Sequence, residues 1–190
     1  MSIVLVRHGE TEWSATGKHT SVTDVPLLES GRRDAEALRD HLAGREFALV
    51  LTSPRARARD TAELAGFGDR AELDEDLVEV DYGEYEGRTT PEIREAVPGW
   101  SVWEHGSPGG ETVDDVGRRA DRVIERALAA DGDVLVFAHG HLLRILAARW
   151  VGEGAAFGGK LLLSTGSVSE LDFERERRAI ALWNDTSHHP

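Results

Sequence analysis

The chain reads as an α/β protein, a three-layer α/β/α sandwich with a mainly parallel central sheet. Three observations predict it. Short apolar runs of strand length alternate with longer segments whose apolar residues recur at helical spacing, as crossover-connected strands require. Two of the runs, Ile3-Val4-Leu5-Val6 and Val134-Leu135-Val136-Phe137-Ala138, each lead into a histidine followed by glycine. The length, 190 residues with 40% hydrophobic content, suits one domain over 1–190 with a real core and is short for two.

Ile3 to Val6 predicts the first strand, and a loop rich in Thr, Ser and Gly follows down to Pro26. Ala35, Leu38 and Leu42 lie at helical spacing within residues 31–43, with Ser30 available as N-cap. Ala48-Leu49-Val50-Leu51 predicts a buried strand. Ser53-Pro54 then opens a helix, serine as the cap and proline at the first helical position, where its missing N–H costs nothing. From about Asp74 to Gly110 the chain reads as loop, interrupted by a short helix from Thr90-Pro91. Thr112 caps a long amphipathic segment through Ala130, with Asp115 three residues on. Residues 134–138 make the second histidine strand, and Leu142 to Val151 the helix after it. Two strand-like runs follow, Val168 to Phe173 and Ala179 to Trp183.

A formal net charge of −13 argues against nucleic acid or an anionic membrane as partner, and makes local clusters of cations informative. With no cysteine, disulfides and thiolate metal sites are excluded. The apolar stretch at residues 3–6 is too short for a signal segment and nothing approaches a membrane span, so a cytoplasmic location is expected.

Chemistry concentrates at the two strand ends, where ligands bind in open α/β sheets. His8 and His139 are placed to meet over one sheet edge. Neutral imidazole has a lone pair that attacks phosphorus directly. Arg7 adjoins the first histidine, and Arg57, a turn into the helix opened by Ser53-Pro54, faces the same edge. Their guanidinium forks suit the oxygens of a phosphate monoester, whereas Arg55 and Arg59 point elsewhere on that helix. A proton donor for the leaving alkoxide is to be sought among Asp74, Glu75, Asp76, Glu79, Asp81, Glu84 and Glu86, and composition does not choose among them. His139, His141, His188 and His189 could ligate a metal by residue type, but no acidic partner stands at a recognisable ligand spacing, so no metal and no cofactor is expected.

These residues carry a resemblance to the histidine phosphatase superfamily, the branch that includes cofactor-dependent phosphoglycerate mutases. Arg7-His8-Gly9-Glu10-Thr11-Glu12-Trp13 resembles the family signature, and Asp24-Val25-Pro26-Leu27 with Gly31 the segment after it. Thr52-Ser53-Pro54 with Arg57-Ala58 and Thr61-Ala62 is similar to the arginine helix. Glu79, Asp81-Tyr82-Gly83 and Glu86-Gly87 are similar to the acid segment, Gly110-Glu111-Thr112 with Asp115 and Arg119 to a structural helix start, and Ala138-His139-Gly140 with Arg144 to the second histidine element. The resemblance implies His8 as the phosphorylated nucleophile and Glu79 as proton donor, then acceptor. It further implies a phosphoryl clamp of Arg7, Arg57 and His139, with no metal.

Lys18-His19-Thr20, Tyr82 to Gly87, Trp100, Trp103 and Phe137 to His141 resemble a subgroup of broad-specificity acid phosphatases and sugar bisphosphatases. That likeness implies Ser14, Thr20, Ser53, Tyr82, Gly140, His141 and Arg144 as substrate contacts, although His141 as a helix cap and Arg144 as a surface ion pair are equally good readings. Ser14 and Ser21 depart from the asparagine and glycine common at those positions, which bears on substrate contacts at the phosphate mouth. The expected function is hydrolysis of small phosphomonoesters. A phosphoglycerate mutase is the nearest alternative, disfavoured because Gly87 to Gly110 is short and holds only Arg88 and Arg94 as cations. A catalytically silent phospho-ligand-binding module is the alternative from another class, and a homodimer stays open.

Overall fold

The computed structural model describes residues 1–190. Its sheet has six strands in the order β3-β2-β4-β1-β5-β6. They are β1 (Ile3–Arg7), β2 (Leu49–Thr52), β3 (Glu72–Leu73), β4 (Val134–Ala138), β5 (Val168–Glu174) and β6 (Arg177–Asp185). The first four run parallel, and β5 and β6 join antiparallel at one side. The helices are α1 (Glu12–Thr16), α2 (Glu29–His41), α3 (Ala56–Leu64), α4 (Thr90–Ala96), α5 (Val102–His105), α6 (Val113–Leu128) and α7 (Gly140–Trp150). None is long and apolar enough to cross a membrane.

Side chains of a strand point alternately to its two faces, and both faces here are apolar. Ile3 and Leu5 of β1, with Val134, Val136 and Ala138 of β4, join a core with residues of α6 and α7. Val4 and Val6, with Leu135 and Phe137, join a second core with Leu38 of α2 and Ala62 of α3. Two cores on opposite faces of one sheet give the three layers that the alternation predicts. The register Arg7↔Ala138 then sets the ends of β1 and β4 side by side.

Several local signals resolve differently from expectation. Ser30 is not a cap: α2 starts two residues earlier, at Glu29 after Leu28, and Ser30 Oγ donates to Glu10 Oε2 at 2.7 Å. Pro54 precedes α3 rather than opening it, because Arg55 takes the N-cap position and Ser53 Oγ accepts only the Arg55 N–H, at 3.3 Å. The helix after β4 begins at Gly140, two residues before Leu142, with His139 at the cap position. In both serine cases a tertiary partner takes the hydroxyl from its local role. The supposed loop after β1 contains α1, held by a reciprocal cap between Thr11 and Ser14 and closed by Gly17 at φ 72°. The Thr112–Asp115 cap forms as expected.

The turn after β1 is fixed by contact between two glycines. A Cβ on Gly9 would stand 2.3 Å from Gly31 O, so the first turn of α2 lies directly on the backbone that follows His8.

Candidate active site

His8 follows β1 directly, and its N–H donates to Ala138 O at 3.0 Å, so strand pairing itself sets this imidazole beside His139. The two rings meet edge to face with centroids 5.2 Å apart. His8 Nδ1 lies 2.8 Å from Gly9 O. A carbonyl only accepts, so Nδ1 carries the proton and Nε2 keeps the lone pair. Burial first, then the charges of Arg7 and Arg57, push the His8 imidazole well below its ordinary pKa. It is therefore neutral at pH 7.

The cations around it are deeply placed. Arg7 Nη1 donates to Leu163 O, and its guanidinium lies against Gly140, where a Cβ would stand 3.3 Å from Arg7 Cζ. Arg57, the second residue of α3, donates to Thr23 O at 3.1 Å and to the carbonyls of Thr20 and Ser21 at 3.2 Å. His139 Nε2 lies 2.8 Å from Ser53 Oγ. That hydroxyl has no other acceptor within hydrogen-bond reach, so its proton goes to Nε2, which leaves Nδ1 of His139 as the N–H side. Burial, then Arg57 and His8, keeps His139 well below its ordinary pKa as well.

Arg7 Nε, Arg57 Nε and His139 Nδ1 are buried without a protein partner. Buried donors are nearly always paired. Three unpaired donors near a neutral imidazole, two of them on cations, are groups that can pair with a multiply charged oxyanion.

Glu79 faces the same place from the segment after β3. Its carboxylate accepts from the N–H groups of Val80 (3.0 Å), Leu142 (2.9 Å) and His141 (3.0 Å). The last two belong to the first turn of α7, whose unsatisfied amides are natural partners for a carboxylate. Arg119 holds the segment that carries Glu79. It pairs bidentately with Glu111 at 2.8 Å and donates to the carbonyls of Asp76 and Val78 at 2.7 and 3.0 Å.

The cavity at this edge has a volume of about 180 Å³ and is lined by Arg7, His8 and Glu79, among others. A larger groove of about 620 Å³ lies along α3 and β3, lined by residues such as Arg59, Asp60 and Leu73, and contains none of the groups above. Volume does not identify the site; the unpaired donors and the free lone pair do.

The family model of the histidine phosphatase superfamily (branch 1) matches residues 3–186. The chain belongs to the histidine phosphatase superfamily. An acid phosphatase of Mycobacterium tuberculosis is 43% identical over 190 residues, covering 98% of this chain and 93% of its own. Sedoheptulose 1,7-bisphosphatase of Saccharomyces cerevisiae is 37% identical over 183 residues, covering 80% of this chain and 68% of its own. A solved structure of an open-reading-frame product from Mycobacterium tuberculosis has a TM-score of 0.91 at 42% identity, over 96% of each chain.

In this histidine phosphatase the residues expected to meet substrate divide into two layers. Ser14, Thr20, Tyr82, Gly140, His141 and Arg144 line the cavity with Arg7, His8 and Glu79. Ser53, Arg57 and His139 are fully buried and do not line it. Arg144 makes no ion pair: its Nε donates to Gly158 O at 3.0 Å, and its guanidinium lies 4.4 Å from the Trp103 ring. His141 does not cap α7 through its side chain; its Nδ1 lies 2.7 Å from Tyr82 Oη. Ser14 lines the mouth, but its hydroxyl is held by Thr11. Ser21 turns away from the mouth, with Oγ donating to Glu79 O at 3.3 Å.

Four lining residues fall outside the expected contacts: Gly17, Lys18, His19 and Leu163. Lys18 and His19 stand beside Thr20 in the segment that carries the subgroup resemblance, so their position was the available signal. Leu163 has none, since it acts through its carbonyl.

Glu86 is more than a loop-solvating carboxylate. It accepts both N–H groups that shape the loop under Arg57, from Ser21 at 2.9 Å and Thr23 at 3.0 Å. The carbonyls of that loop hold Arg57. Glu86→Gln is expected to lose one such bond, about 1–3 kcal/mol or roughly 5–150-fold in kcat/KM. Inorganic phosphate should bind more weakly in parallel. Glu84→Gln, at an exposed position, should stay within about two-fold. Comparable losses in both variants would remove this support role.

Proposed function

We propose that this histidine phosphatase hydrolyses small phosphomonoesters through a phosphohistidine at His8. The observation that carries the reading is the free Nε2 of His8 set among the three unpaired buried donors. Nε2 attacks phosphorus and forms the N–P bond as the ester P–O bond breaks. Arg7, Arg57 and His139 hold the phosphoryl oxygens, and Glu79 gives its proton to the departing alkoxide. Water then attacks the same phosphorus, passing a proton back to Glu79. The N–P bond breaks, its electron pair returns to Nε2, and inorganic phosphate leaves. Most of the catalysis is positioning and charge stabilisation.

A cavity of about 180 Å³ favours metabolites over macromolecules. The relatives named acid phosphatase and sedoheptulose bisphosphatase support sugar phosphates or a broad range of small esters. Return of the phosphoryl group to substrate, as a mutase requires, needs a second basic subsite. Arg88 and Arg94 do not supply one here: Arg88 donates to Glu92 O and Arg94 to Trp100 O, and neither lines the cavity.

A phosphomonoester panel tests the reading, with 3-phosphoglycerate and 2,3-bisphosphoglycerate followed for both inorganic phosphate and 2-phosphoglycerate. Phosphate release should dominate and should survive exhaustive chelation. Efficient isomerisation with little free phosphate would make the enzyme a mutase, and a loss of kcat on chelation that zinc or magnesium restores with no change in melting temperature would make it a metal hydrolase.

A further inference from the structure

We propose that His41, Asp185 and His188 form a binding site for a divalent transition metal of the zinc type, separate from the phosphate site. His41 ends α2, Asp185 ends β6, and His188 follows three residues later. His41 Nε2 stands 3.6 Å from Asp185 Oδ2, the rings of His41 and His188 lie 4.7 Å apart, and one ligand atom from each residue falls within 4.8 Å of the others. Zinc bonds of about 2.1 Å in a tetrahedron place ligand atoms roughly 3.4 Å apart, so the His41–Asp185 spacing already fits. The widest of the three separations, at most 4.8 Å, closes by up to about 1.4 Å when the metal binds. Two imidazoles and a carboxylate, with water at the fourth corner, are ligands zinc accepts and magnesium or calcium do not favour.

A second observation points the same way. His188 Nε2 donates to Gly166 O at 3.0 Å, while its Nδ1 is buried with no partner. Metal-bound histidines characteristically donate their other ring N–H to a carbonyl in this manner, which fixes the ring and leaves the ligating nitrogen unprotonated. Asp185 is likewise oriented, accepting from Ser187 N–H at 2.9 Å and Ser187 Oγ at 3.1 Å. The site would fasten residues 186–190 to α2. It would also steady Gly166, whose N–H donates to the carbonyls of Arg7 and His8 at 3.1 and 3.0 Å. Its role is structural, so it does not depend on the phosphatase reading.

The full chain, stripped with EDTA and desalted, is titrated with zinc chloride by calorimetry at neutral pH, and its melting temperature is read with and without zinc. One equivalent is expected to bind at micromolar affinity or tighter and to raise the melting temperature. His41→Ala and Asp185→Asn should each weaken binding at least ~10-fold and abolish the thermal shift. His189→Ala, which removes the adjacent imidazole but no ligand, should bind as the parent does. No saturable binding would overturn the site, as would binding that survives His41→Ala and Asp185→Asn but is lost in His189→Ala.

Discussion

His8→Ala is expected to lower kcat/KM by at least ~10⁴-fold, or about 5.5 kcal/mol, on every phosphomonoester. Neither His139 nor His141 presents an unprotonated, uncommitted nucleophilic nitrogen. His139 is turned with its N–H side free and its Nε2 against Ser53, and Nδ1 of His141 is engaged by Tyr82. The variant keeps Arg7, Arg57 and the strand pairing, so inorganic phosphate should still bind and separate a lost nucleophile from a lost fold. Acid-labile protein-bound phosphate should appear during turnover of the parent only. The same group sets the acid side of the rate profile. A depressed His8 pKa means that the attacking nitrogen is protonated only well below the ordinary histidine range, so turnover should persist as pH falls through about 6. A sharp loss between about pH 7 and 6, or normal turnover in His8→Ala, would contradict the assigned nucleophile.

Glu79→Gln should separate substrates by their leaving groups. An alkyl alkoxide needs a proton as it departs, whereas p-nitrophenolate leaves with little help. The expected loss is about 10²–10⁴-fold for an alkyl phosphate and no more than about ten-fold for p-nitrophenyl phosphate, measured in pre-steady-state phosphorylation. The amide that replaces the carboxylate would also set its NH₂ against one of the three N–H groups that Glu79 accepts. That clash costs about 1–3 kcal/mol, but it is common to both substrates and cancels in the ratio. Equal losses on the two esters would mean that the proton comes from elsewhere.

The fold and the meeting of the two strand-end histidines were legible because they rest on short-range patterns. Both strand-end histidines follow apolar runs whose alternation divides cleanly between two cores, and that periodicity survives any rearrangement of loops. The proposed proton donor was not legible in composition. Seven carboxylates crowd residues 74–86, and Glu79 is marked out by amides of residues 141 and 142, which arrive from another element. Resemblance alone singled it out. The misread caps have the same origin: Ser30 and Ser53 carry the right hydroxyl for a helix start, but Glu10 and His139 lie within reach and take it. Glu86 looked like its acidic neighbours because only the folded 20–23 loop gives it amides to hold.

The strand order also constrains how the enzyme comes into being. β1 is made first, yet its two neighbours in the sheet are β4 and β5. At typical synthesis rates of about 5–20 residues per second, roughly ten seconds pass before the strand that carries His139 is made. Throughout that interval an Ile-Val-Leu-Val segment has both hydrogen-bonding edges open, the exposure that favours pairing with other chains. Loop closure over so many residues is also slow relative to helix formation. His8 and His139 thus meet only late, and until then the nascent chain carries an adhesive strand and no phosphatase.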